Sequence, residues 1–302
     1  MTAAPNVQLL PADVEQALER GTSVPAMRAG EGDTSFLTRD ALAHLNGGRA
    51  PYLVGGTLGC QAHTGTHRTN ARTANLELFV RETDRRRVLD LLRERSWEAI
   101  GDVSHWLTKA RRGDSVIDVI CGSANGIARV DDLWFTHSVP GQVLDVETRL
   151  VPVEEMIWSK AFTMDKCRFE GADVAHLLLM QAGRISWDRL LWRFGRNWRV
   201  LLGHLMFFGY VYPQRRALVP DKFLDTLLVL LRHEHDESGA GSANGAADPP
   251  TCRGTLLSRE EYRVDVDVWG FRDARLEAGG GRITREGSRR IAVGESEAVA
   301  GA

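Results

Sequence analysis

Asn75, Glu77 and Asp118 are the oxygen-bearing side chains of this sequence best placed to hold a cation, and they go with a glycine pair at Gly55-Gly56. Carboxylates supply the hard oxygen ligands that magnesium requires, and backbone amides at a glycine turn opening a helix can meet a phosphate. In the stretch YLVGGTLGCQAHTGTHRTNARTANLELFV, residues 52–80, an apolar strand breaks at Gly55-Gly56, a short helix follows, and a second strand carries Asn75 and Glu77. Strand residues alternate faces, so Asn75, Glu77 and Phe79 share one side while Leu76, Leu78 and Val80 take the other. Asp118 sits in SVIDVI between apolar neighbours, Val116, Ile117, Val119 and Ile120. A carboxylate in such surroundings is costly without a cation nearby. That cation is either a metal ion or one of Arg68, Arg72 and Lys109 in a salt bridge.

These residues resemble the nucleotidyltransferase superfamily, the fold of DNA polymerase beta, antibiotic nucleotidyltransferases and minimal nucleotidyltransferase toxins. The family pattern is a Gly-Gly or Gly-Ser turn on a first helix, Asp-apolar-Asp/Glu on a strand, and a third acid on a neighbouring strand. Gly55 and Gly56 match the turn, Glu77 the second acid and Asp118 the third. Asn75 departs from the pattern, because the family has an aspartate there that two metal ions share. No realignment removes the departure, since no aspartate occurs between Asp40 and Asp84.

The resemblance implies an α+β fold: a nucleotidyltransferase-like mixed sheet with flanking helices, followed by a mainly helical C-terminal half. It also implies transfer of a nucleoside monophosphate from a nucleoside triphosphate to a hydroxyl on a small molecule, RNA or protein. In that chemistry one magnesium ion (Mg2+) activates the acceptor and a second neutralises the pyrophosphate leaving group. Asn75 can still offer its carbonyl, but the lost charge weakens the activating ion most, which favours one retained ion held by Glu77, Asp118 and Asn75. The same departure supports an alternative, a pseudoenzyme that keeps the fold and a nucleotide-binding, regulatory or repurposed role. A toxin modifying RNA or protein is a third possibility on the same fold. Lys160 corresponds to a lysine that relatives place facing the triphosphate; a lysine snorkelling from the edge of an apolar stripe is an equal alternative. Arg168 and Asp173, in RFEGADVAHLL, resemble a motif of the same relatives and are expected to brace helices.

Other candidates have simpler readings beside the chemical one. Lys109, Arg111 and Arg112 precede the Asp118 strand and could steer a nucleotide, although a solvated turn is the simpler expectation. Ser123 is either a pocket residue or part of a turn. Cys60, His63 and His67 fall at i, i+3 and i+7, a zinc-compatible face with only three ligands, for which a helix packed on the sheet is the preferred account. Gly55, Gly56 and Gly59 are spaced GGxxG, which lacks the pattern and the following acid of a dinucleotide loop.

The elements that must position these groups follow from period and punctuation. Residues 1–50 read as an N-terminal helical segment, with one helix from Pro11 and another after Thr38 that stops at Asn46-Gly47-Gly48. The α/β core spans 51–152, with strands near 52–54, 75–80, 100–107, 115–120 and 147–151 and a helix after Thr83 through VLDLLRER. From 153 to 233 the period is helical: Val153, Ile157, Lys160, Ala161 and Met164 fall on one face. Further helices are expected over 172–181, 187–193, 197–208 and 220–232. Residues 234–251 are rich in glycine, proline and small polar types and read as a flexible linker. Residues 252–302 form a C-terminal extension whose first half, CRGTLLSREEYRVDVDVWGFRDARL, can dock back on the body, and whose tail through GSRRIAVGESEAVAGA reads as disordered.

A chain of 302 residues with 43% hydrophobic content supports a sizeable core, in one large domain or two modest ones. Lysine and arginine total 38 against 40 acids, so no net positive field argues for DNA as a partner. Cys60, Cys121, Cys167 and Cys252 lack paired spacing, and MTAAPNVQLLPADVEQ lacks a signal-peptide pattern, so a reducing cytoplasm is the expected setting. The most apolar run, Leu201 to Tyr212, is interrupted by His204 and Gly209 and is too short to span a bilayer.

Overall fold

A computed structural model describes residues 33–65, 75–238 and 250–278. Its first elements are helix α1 (Asp33–Gly47), strand β1 (Leu53–Val54), helix α2 (Gly56–Thr64), strand β2 (Leu76–Phe79) and helix α3 (Arg85–Arg93). Then come β3 (Glu98–Ser104), β4 (Leu107–Arg112), β5 (Ser115–Ile120), a short helix α4 (Asp132–Thr136), β6 (Val139–Val143) and β7 (Val146–Leu150). Helices α5 (Val153–Ala161), α6 (Gly171–Gln181), α7 (Trp187–Phe194), α8 (Trp198–Val211) and α9 (Asp221–Ser238) complete the body.

The seven strands form one mixed sheet in the order β3-β4-β5-β2-β1-β7-β6. The β2–β5 and β1–β7 pairs are parallel and the remaining pairs antiparallel. Alternation along each strand sends side chains into two separate cores, one per face. Leu76, Leu78, Ile117 and Val119 pack with Leu42 and Leu45 of α1 and Val88 and Leu92 of α3. Phe79, Ile120 and Leu53 pack on the other face with Trp134 and with the helices of the second half, through Ile157, Leu177 and Leu205. The fully buried Trp134 stacks on Phe79 with ring centroids 5.4 Å apart. An aromatic side chain buried this completely stabilises the fold by roughly 1.5–3 kcal/mol, so this contact is a main tie between sheet and helices.

Charge as well as apolar area joins the helices. Glu155 is completely buried and takes hydrogen bonds from Arg189 Nη1 at 2.7 and 2.8 Å and from Arg193 Nε at 2.8 Å. Arg193 also grips Asp131, just ahead of α4, through two bonds of 2.6 and 2.9 Å. Glu154 pairs with Arg189 and accepts the backbone amide of Ser186 at 2.7 Å. Burial pushes the Glu155 carboxyl up, opposed by the two guanidinium groups.

Several boundaries differ from the sequence expectation for identifiable reasons. Helix α1 begins at Asp33, so Thr38 lies inside it; Leu37 already joins the apolar face of Ala41, Leu42 and Leu45. The stretch expected as a single strand over 100–107 is two strands, β3 and β4, that reverse at His105-Trp106, a pair without a turn residue. Lys109, Arg111 and Arg112 therefore belong to β4 and not to a solvated turn. Strand β6, which the sequence does not predict, contains Pro140 and Gly141, residues that an edge strand tolerates. It turns into β7 through Leu144 and Asp145, both at positive φ (50° and 62°), a two-residue hairpin turn made without glycine or asparagine. Helix α9 runs to Ser238, into the stretch expected as linker, since each residue added to a formed helix gains a hydrogen bond. Residue 251 also departs from that linker: strand β8 (Thr251–Cys252) pairs with β9 (Arg272–Asp273).

The C-terminal segment docks on the body. Asn125 Nδ2 donates to Leu256 O at 2.8 Å, and Leu256 and Ala274 are buried in the helical core. The expected helix from Pro11 and the tail beyond residue 278 lie outside the described residues. Among the described residues no helix is long and apolar enough to cross a membrane.

Candidate functional site

The site is set by the order of three adjacent strands. In the parallel β2–β5 pair Glu77 lies directly opposite Asp118, and in the antiparallel β4–β5 pair Lys109 lies opposite the same aspartate. All three thus share the sheet face that carries Phe79 and Ile120. Lys109 Nζ donates to Asp118 Oδ1 at 3.0 Å and Asn75 Nδ2 donates to Asp118 Oδ2 at 3.2 Å, so both oxygens of Asp118 have protein partners. Of the three cations that could salt-bridge the acids, Lys109 pairs with Asp118. Arg68 and Arg72 lie outside the described residues.

Glu77 is different. No described residue hydrogen-bonds or ion-pairs with its carboxylate. Burial pushes its pKa up; Lys160 and Arg168 oppose the rise, while Glu170 and Asp118 add to it. The strand–helix turn presses on this group. The Gly55 amide donates to Glu77 O at 3.1 Å, and a β-carbon on Gly55 would fall 2.4 Å from the Phe79 ring. Gly56 has φ +59°, and a β-carbon there would fall 2.2 Å from Glu77 Cδ. Only glycine permits both the left-handed backbone and the close approach. The turn opens α2, whose first amides point off the helix end beside the Glu77 side chain.

Lys160 is 5% exposed and does not snorkel. Its Nζ lies 2.9 Å from Asp173 Oδ2 and 3.2 Å from Glu170 Oε2. Burial would depress this ammonium, but Glu170 and Asp173 outweigh that effect and hold its pKa raised, with Cys60 and Glu77 also contributing. Lys160 therefore stands within electrostatic reach of Glu77 while its hydrogen bonds go to the helical half. Arg168 pairs with Glu170 ahead of α6, and the ion pair that links α5 to α6 is Lys160–Asp173. Glu170 was not singled out from sequence; its spacing of three residues from Asp173 was the available signal.

Other candidates take structural roles. Ser123 Oγ donates to Asn125 Oδ1 at 2.6 Å and accepts from Ala128 N at 2.9 Å, which builds a turn. His63 Nε2 bonds Val151 O at 2.8 Å, and burial pushes its pKa down. Helix α2 ends at Thr64 with Gly65 as a left-handed cap, and His67 lies outside the described residues. Among the described residues no group of three or more His, Cys, Asp and Glu is set to hold a metal ion.

The oxygens of Glu77 and Asp118 are of the kind that a divalent cation takes. The Glu77 carboxyl, which packs directly on Gly56, has no described partner. Such an ion would have to take over the Asp118 oxygen that Lys109 holds.

These elements define a mixed α/β protein with a seven-stranded mixed sheet, two acids in register at its centre, and a helical half against one face. No protein-family model matches the chain, and no curated protein matches it.

Proposed function

We propose that this chain is a nucleotidyltransferase that moves a nucleoside monophosphate from a nucleoside triphosphate to a hydroxyl acceptor. The observation that carries the reading is the in-register pair Glu77–Asp118, set beside the Gly55-Gly56 helix start. Glu77 and Asp118 would hold one Mg2+, with the Asn75 carbonyl as a weaker ligand. When bound, that ion would neutralise charge on the phosphates and the departing pyrophosphate. The first amides of α2 suit a phosphate oxygen. Lys160 stands within electrostatic reach of Glu77, with its own charge offset by Glu170 and Asp173.

A second reading, a pseudoenzyme that binds nucleotide without turning it over, is favoured by one specific observation. Asn75 stands where the resemblance calls for a metal-bridging aspartate, and it and Lys109 already hold both oxygens of Asp118.

Nucleotide binding with and without magnesium, followed by pyrophosphate release, separates the two. The transferase reading expects magnesium-dependent turnover that Asp118→Ala abolishes. Binding without turnover in any magnesium concentration supports the pseudoenzyme, and no binding of any nucleoside triphosphate rejects both.

A further inference from the structure

We infer that Lys109 is a tethered cation that competes with a divalent metal ion for Asp118, and so sets how readily the site takes up metal. This rests on the reading of Glu77 and Asp118 as metal ligands.

The geometry gives Lys109 this position and the freedom to leave it. Strand register places it opposite Asp118, with Nζ 3.0 Å from Oδ1. Its side chain is 36% exposed, against 13% for that of Asp118, so the lysine is the more solvent-accessible partner of the pair. A lysine is a compact charge on a flexible four-carbon stem and can swing into water without disturbing its strand. Lys160 cannot do the same, because its side chain is 6% exposed and bonded to both Glu170 and Asp173.

Asn75 explains why the aspartate would stay in place. Its amide holds Oδ2, so release of Oδ1 by Lys109 need not release the side chain. A purely structural role for the Lys109–Asp118 pair is redundant, since the β4–β5 ladder already aligns the strands from Leu107↔Ile120 to Arg112↔Ser115. The pair matters instead for charge. Without metal, Glu77 and Asp118 would stand side by side as like charges, and Lys109 offsets one of them. A divalent ion does the same with twice the charge and makes the lysine superfluous.

The test is a titration of the full chain with Mn2+, followed by electron paramagnetic resonance, in wild type, Lys109→Met and Asp118→Asn. The expected result is that Lys109→Met binds Mn2+ about fivefold more tightly than wild type, the upper range for removing an exposed ion-pair competitor, while Asp118→Asn loses the site. Equal or weaker binding by Lys109→Met, with wild type binding normally, overturns the competition and leaves the metal-site reading standing. Absence of Asp118-dependent Mn2+ binding in both wild type and Lys109→Met rejects the metal-site reading itself and the competition with it. A measurement on wild type alone covers the case of a variant that does not fold. Acetylation of Lys109 by acetic anhydride, read by mass spectrometry, is expected to rise when Mn2+ is added. Unchanged acetylation in a chain that binds Mn2+ overturns the proposal.

Discussion

The side-chain amide of Asn75 donates to Oδ2 of Asp118 at 3.2 Å, which makes the residue that departs from the acidic pattern a hydrogen-bond donor to the residue that keeps it. Asn75→Asp removes this donor and adds a charge next to Asp118 and Glu77. Without metal the variant should lose about 1.5–3 kcal/mol of stability, the range for a hydrogen bond to a charged group. Millimolar magnesium should restore the melting temperature, and pyrophosphate release should rise above wild type. Thermal unfolding with and without magnesium checks the first part; a variant as stable as wild type without metal contradicts it.

Gly56→Ala should destabilise the protein by about 1–3 kcal/mol, because alanine disfavours φ +59° and its methyl would collide with the Glu77 carboxyl. Adding Glu77→Ala should recover the part of the loss due to collision and leave the backbone part. Urea unfolding of the single and double variants separates the two contributions.

Lys160→Met should cost about 3–5 kcal/mol, since it leaves Glu170 and Asp173 without their shared ammonium in a buried setting. Lys160→Arg keeps the charge and should cost less. Denaturant midpoints test this ordering, and equal losses for the two variants would argue that volume, not charge, governs the position.

The pH dependence of stability has a definite sign at Glu77. Its folded pKa is raised above the ordinary 4.5 by burial, so its contribution is fully present below that value and is lost as pH rises through the folded pKa. Glu77→Gln should remove this share of the decline and melt higher than wild type at neutral pH. Melting curves across the acid-to-neutral range for both proteins check the prediction. Bound magnesium would reverse the comparison, because it favours the ionised carboxylate.

Much of this arrangement is legible in the residues alone, and the remainder has a common cause. Alternation placed Asn75, Glu77 and Phe79 on one face and Leu76, Leu78 and Val80 on the other, as the two cores bear out. The helices of the second half followed from apolar period, and the glycine pair from its strand–helix setting. These are local properties, fixed by bond geometry over two to four residues. The hairpin turns at His105-Trp106 and Leu144-Asp145 are hidden in the sequence because neither contains glycine, asparagine or proline.

Which acid a lysine meets is a different kind of fact. Lys109 and Lys160 are both basic residues near apolar neighbours in sequence. One faces Asp118 from the next strand at the edge of solvent, and the other is enclosed with Glu170 and Asp173. Strand order, register and helix packing made that distinction. Coulomb energy depends on separation and on exclusion of water, and both are set by parts of the chain far apart in sequence.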